Sequence, residues 1–213
     1  MTKNLRNKLI KIARQEITDD DPSHDFEHAL RVLNNAEIIS KNENADLDII
    51  IPAALFHDVV NHPKHSYQAR FSADESALLT KTILNNIEGF SKNKINKVCS
   101  TIKSCSFSKG IKPDFLEAKI LQDADWLEAT GAISIMRTFS TCGQLKRSLY
   151  SKNDPFCKKR KPDSKNNGLD LFYDRLLRVK NEVHTNKAKE IARRRTKILR
   201  SFLKELEMEF KEK

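Results

Sequence analysis

The stretch Ile49-Ile50-Ile51-Pro52-Ala53-Ala54-Leu55-Phe56-His57-Asp58 is apolar for eight residues and then ends on an imidazole and a carboxylate. Its pattern predicts a helix from about Asp46 to Val59, apolar around its whole circumference. A helix of that kind is buried at the centre of a bundle. Pro52 falls in the first turns, where a missing N–H is tolerated. A His beside an Asp is common by chance, so the meaning of His57-Asp58 depends on what the neighbouring segments bring to it.

Those segments read as helices. Leu5, Leu9, Ile12, Ala13 and Ile17 fall at helical spacing over residues 3–17. After a polar break from Thr18 to Ser23, either Ser23 or Asp25 caps a second helix running to about Lys41, with Ala29, Val32, Leu33, Ala36 and Ile39 inside. Asn61 to Arg70 has no periodicity, contains Pro63 and reads as a loop leaving the His57-Asp58 end. Further helices are expected at about 72–87, 92–106, 114–129 and 131–140, then an exposed loop from Lys152 to Asn167, and helices at about 169–180 and 185–210. With 5 Gly and 6 Pro in 213 residues, breakers are few, which favours helices over a β fold. The expected architecture is a single all-α domain over residues 1–213, its functional core at about 20–142 and residues 150–210 packed on it.

Bulk charge narrows the partners. The net charge is +10, spread along the chain with dense points at Lys158-Lys159-Arg160-Lys161 and Arg193-Arg194-Arg195. A phosphorylated small molecule suits this balance. Nucleic acid is the less favoured partner, because aromatic residues are not interleaved with either basic point. No apolar run approaches the roughly 20 residues of a membrane span, and the N-terminus lacks the apolar core of a signal peptide. Cys99, Cys105, Cys142 and Cys157 form no C-x-x-C pair and read as reduced thiols of a cytoplasmic protein.

A divalent cation used in hydrolysis needs mixed imidazole and carboxylate ligands with positions left open. His28, His57, Asp58 and Asp125 supply such a set from three segments. Adjacent residues on a helix point about 100° apart, so His57 and Asp58 converge only at a helix end or between two metals. Ligands from several facing helices are how bundles build metal sites.

The order His28 … His57-Asp58 … Asp125 resembles the H…HD…D signature of the HD-domain metal-dependent phosphohydrolases. The flanks are similar too. His24-Asp25-Phe26-Glu27-His28-Ala29-Leu30-Arg31-Val32 resembles the family's H-D-x-x-H-x-x-R-V segment, and Ala53-Ala54-Leu55-Phe56-His57-Asp58 its A-A-L-L-H-D strip. Glu117-Ala118-Lys119-Ile120-Leu121-Gln122-Asp123-Ala124-Asp125-Trp126-Leu127-Glu128-Ala129 resembles its E-A-x-I-(L/V)-x-D-A-D-x-L-D-A segment. Val60 to Ser66, Gly131-Ala132-Ile133 with Arg137-Thr138-Phe139, Asp154-Pro155-Phe156 and His184-Thr185 are similar to a bacterial single-domain branch linked to nucleotide pyrophosphate hydrolysis. The chain departs from the family pattern at His62, Trp126 and Glu128.

The resemblance implies an all-α HD-domain bundle with one divalent metal ion (Mn, Fe, Ni, Co, Zn or Mg) on His28, His57, Asp58 and Asp125. The family's frame selects Asp125 over Asp123. The implied chemistry is hydrolysis of a nucleotide's phosphate or pyrophosphate bonds by metal-activated water. Asp58, Lys64 and Glu75 are the expected catalytic residues; Arg31, His62, Lys64, His65 and Arg70 are the expected substrate contacts. Phosphomonoester or phosphodiester hydrolysis is the alternative within the superfamily. Two other classes compete: a basic helical protein that binds nucleic acid or a partner without catalysis, and an inverted zinc protease, because His24-Asp25-Phe26-Glu27-His28 also spells H-x-x-E-H. The expected role of His184 is only to begin the last helix.

Overall fold

The computed structural model describes residues 1–18, 21, 23–63, 66–105 and 112–212. Among these, every regular element is helical, apart from one isolated bridge between Ser148 and Asn167. The chain forms two compact units, Met1–Asp125 and Trp126–Lys213.

In the first unit, α1 (Lys3–Glu16), α2 (Phe26–Glu43), α4 (Ser72–Asn85) and α5 (Lys92–Cys105) all pack on α3 (Leu47–Phe56). All eight residues from Ile49 to Phe56 are buried, so α3 is central as its composition demands. Each Ile, Leu or Phe withdrawn from water there contributes about 1.5–3 kcal/mol. Pro52 is the sixth residue of α3, in its second turn, and deprives Asp48's carbonyl of its i+4 donor. The helix also stops at Phe56 instead of Val59. His57 Nδ1 lies 2.9 Å from the Ala54 carbonyl and takes the acceptor that the next backbone N–H would need, while Val59 N–H closes on Phe56 at 3.3 Å.

Asp25, not Ser23, caps α2: its carboxylate accepts the His28 N–H at 2.8 Å. Asn44, at φ 51°, closes the other end in the left-handed conformation that Asn tolerates. α6 (Leu116–Trp126) is tied to the unit by two buried amides. Asn35 Nδ2 donates to the Ala124 carbonyl at 3.2 Å, and Gln122 Nε2 to the Ser104 carbonyl at 3.1 Å. The loop expected over Asn61–Arg70 contains a 3₁₀ turn, Tyr67–Phe71, that feeds directly into α4.

In the second unit, the helix expected to reach residue 129 ends at Trp126 and tightens into a 3₁₀ turn, Leu127–Ala129, before α7 (Gly131–Gln144). The expected helix at 169–180 is instead a π turn, Phe172–Leu176, followed by the short α8 (Val179–Glu182). Apolar spacing reports which side is buried and not the hydrogen-bond register, so the sequence did not distinguish the two. Leu169, Phe172, Leu176, Leu199 and Leu203 form the core, with the Phe172 and Phe202 rings stacked at 5.6 Å. α9 (Asn186–Glu209) starts on Thr185, whose hydroxyl accepts the Ala188 N–H. The loop from 152 to 167 is held by Arg160, which forms a two-pronged ion pair with the fully buried Asp170.

Candidate metal centre

Three helices of the first unit bring His28, His57 and Asp125 together, with one ligand atom of each within 4.8 Å of the others. His28 Nε2 is 3.6 Å from Asp125 Oδ1, and His57 Nε2 is 3.9 Å from the same oxygen. Asp58 joins from the edge, its Oδ2 at 3.8 Å from His28 Nε2 and 3.5 Å from His57 Nε2. His57 is the C-cap of α3 and keeps helical backbone angles, and Asp58 follows it at the helix end with its Oδ2 3.5 Å from His57 Nε2.

The residues fit a cation. A carbonyl oxygen only accepts, so the proton of His57 sits on Nδ1, facing Ala54. In the neutral ring the lone pair is then on Nε2, which is buried and without a hydrogen-bond partner. That is the tautomer and the second-sphere carbonyl contact of a metal-bound histidine. The N···O separations of 3.5–3.9 Å are too long for hydrogen bonds. They match ligand atoms arranged about one ion at about 2.1 Å, which lie about 3.0–4.2 Å apart. The imidazoles are buried, whereas Asp125 and Asp58 keep 22% and 36% side-chain exposure, so the site opens on its carboxylate side.

Asp123 is fully buried and outside this group. Arg31 is half-buried one turn beyond His28 on α2. His62 Nε2 lies 2.6 Å from Glu75 Oε2. This pair is fixed to α4 by Val60 N–H and His62 N–H, which donate to the hydroxyls of Ser76 and Ser72. Arg70 lies over the Tyr67 ring at 3.6 Å and near Phe71 at 4.6 Å. Lys64 and His65 lie outside the described residues.

The H-x-x-E-H reading finds no support. Glu27 points outward, His24 Nδ1 is engaged by Asp21 at 2.7 Å, and the ligand group runs to His57 and Asp125. The basic points are partly structural: Arg160 holds Asp170, and the half-buried Arg195 donates to the Leu127 carbonyl. His184 stands just before Thr185, the N-cap of α9, with its ring 5.9 Å from that of Trp126.

Two contributors escaped the sequence. Burial, with Asp125 and Asp58 close by, pushes the Cys105 thiol well above its ordinary pKa, so it stands near the site as a neutral group. Asn35 positions the turn that carries Asp125. A buried Asn on an otherwise apolar helix face was the available signal. Asn35→Ala is expected to lose about 1–3 kcal/mol, measured by urea unfolding, because the Ala124 carbonyl loses a donor. It is also expected to weaken metal binding by about tenfold in a chelator competition.

The HD-domain family model matches residues 25–130. The chain is 31% identical over 195 residues to the uncharacterized protein YpgQ of Bacillus subtilis, covering 90% of this chain and 86% of YpgQ. The fold is similar to the crystal structure of the Lin1889 protein of Listeria innocua, with TM-score 0.76 and 31% identity over 99% and 98% of the two chains. It is similar to an HD-superfamily hydrolase of Bacillus thuringiensis, with TM-score 0.72 and 28% identity over 99% of each chain. It is likewise similar to YpgQ crystallised with ADP, with TM-score 0.72 and 28% identity over 96% and 97%.

Proposed function

We propose, from the premise that this chain belongs to the HD-domain superfamily of metal-dependent phosphohydrolases, that it hydrolyses a phosphate or pyrophosphate bond of a nucleotide. The observation that carries the hydrolytic reading is the buried Nε2 of His57, without a hydrogen-bond partner and grouped with His28 and Asp125. Support for a nucleotide comes from the ADP complex of YpgQ and from the net charge of +10. Four free cysteines agree with a cytoplasmic location. No helix among the described residues is long and apolar enough to cross a membrane.

His28, His57, Asp58 and Asp125 would hold the ion. A divalent cation there supplies Lewis acidity and makes water a stronger acid. Asp58, the most exposed of the four, orients the attacking water and accepts its proton. The His62–Glu75 pair presents an imidazole, polarised by its carboxylate, to the phosphate chain. Lys64 and Arg70 neutralise the remaining phosphate charge, His65 donates a hydrogen bond to it, and Arg31 touches a phosphate. The two aromatic rings beside Arg70 hold its guanidinium in place.

Nucleoside mono-, di- and triphosphates offered with Mn²⁺, Mg²⁺, Co²⁺ or Ni²⁺ test this reading, with products resolved by chromatography. Hydrolysis of di- or triphosphates, abolished by chelation and restored by metal, is the expected result. Protein that binds metal yet cleaves no nucleotide across the panel would overturn the reading.

A further inference from the structure

The second unit carries a groove of about 410 Å³, walled by aromatic rings. Tyr150 and Phe156 both meet Phe210 edge to face, with ring centroids at 4.9 and 5.6 Å. Three lysines, Lys152, Lys158 and Lys211, stand at its rim with a single carboxylate, Glu207. In the linear sequence the basic run from Lys158 to Lys161 has no aromatic residues interleaved. The fold supplies them, drawing Phe210 to Tyr150 and Phe156 across more than fifty residues.

The wall is rigid for a surface loop. Asp154 accepts the N–H groups of Lys158 and Lys159 at 2.9 and 2.7 Å, which folds Pro155, Phe156 and Cys157 into a tight turn. Cys157 holds a φ of 52° within it. Arg160 then bonds the Asp154 carbonyl at 3.0 Å and clamps the buried Asp170 with the same guanidinium. The result is a turn whose backbone fixes where Phe156 and Lys158 leave the chain at an open groove, with Tyr150 and Phe210 still 37% and 41% exposed. Preorganisation of this kind lowers the entropic loss on binding.

We infer that this groove is a second binding site, for a nucleoside phosphate, whose base packs on Phe156 and Phe210 and whose phosphates meet the lysine rim. The volume lies within the range of small-ligand sites. Stacking on aromatic rings with cationic neighbours is the chemistry that retains a base and its phosphate. Glu207 contacts Lys158 at 2.5 Å and Lys211 at 3.2 Å. Both pairs are exposed and weakly held, so phosphate oxygens compete for the lysines. The freed lone pairs of Glu207 then accept from an exocyclic amine of the base. A free nucleotide is the occupant that a groove of this size selects over a polynucleotide, which needs a continuing track.

The test is ATP binding to the full chain in excess EDTA, by calorimetry, with the wild type and with His57→Ala. Saturable one-to-one binding is expected in both, so the result does not depend on the metal centre or on hydrolysis there. Phe210→Ala and Lys152→Ala, both at exposed positions, are expected to weaken it by about tenfold with circular dichroism unchanged. Inorganic triphosphate is expected to bind at least about tenfold more weakly than ATP. Three outcomes would overturn the inference: no ATP binding in EDTA, binding unaltered by Phe210→Ala, or triphosphate binding as tightly as ATP. Affinity for oligoribonucleotides that climbs with length and exceeds that for ATP would overturn it as well.

Discussion

His57→Ala is expected to lower metal-dependent nucleotide hydrolysis by about a thousandfold or more, because loss of the cation forfeits several kcal/mol of charge stabilisation. The same substitution should remove high-affinity metal binding in a dialysis assay. It also deletes the side chain that occupies the Ala54 carbonyl at the end of α3, so unfolding should be recorded alongside activity. Asp58→Ala separates the two effects. Asp58 is 36% exposed, so its loss should abolish hydrolysis with little change in the unfolding midpoint. An Asp58→Ala protein that retains wild-type hydrolysis would exclude this centre as the catalytic one.

Arg160→Met is expected to destabilise the protein by about 3–5 kcal/mol, the range seen when one member of a buried ion pair is removed. Asp170 is fully buried, so it cannot regain water when its partner is lost. The pH dependence carries the signature. In the wild type, burial pushes the Asp170 pKa up, but Arg160 and the Asp163 N–H hold it below the ordinary aspartate value. A depressed folded pKa contributes stability above about pH 4, lost as pH falls through the folded value. In Arg160→Met, burial acts without the guanidinium and the folded pKa rises. The sign then inverts: stability is retained below about pH 4 and lost as pH climbs through the raised value. The gap between the two proteins should therefore be widest at neutral pH and narrow toward pH 3, as measured by urea unfolding across that range.

The helical class and the central place of α3 were legible because eight consecutive apolar residues have nowhere to go but the middle of a bundle. The candidate metal group was legible because His28, His57 and Asp125 stand in segments that resemble the HD-domain signature, and the fold brings the three together. Positions that depend on a particular hydrogen bond were not legible. The end of α3 is set by an imidazole reaching a carbonyl, and the π turn at Phe172–Leu176 by a change of bonding register. Apolar periodicity records neither. Nor did it predict that His62 would be engaged by Glu75, or that Arg160 and Arg195 would serve the fold. The linear sequence shows a charge but not its partner.

The burial of α3 has a kinetic consequence. A helix enclosed on every side does not fray, so its amide protons should exchange with solvent only when the first unit unfolds as a whole. His57 is anchored to the last turn of that helix and bonded back to it. Its imidazole is thus held for the lifetime of the native state, and under the proposed metal site the carboxylate of Asp58, set on the turn beyond and 36% exposed, would be the group that adjusts to the ion.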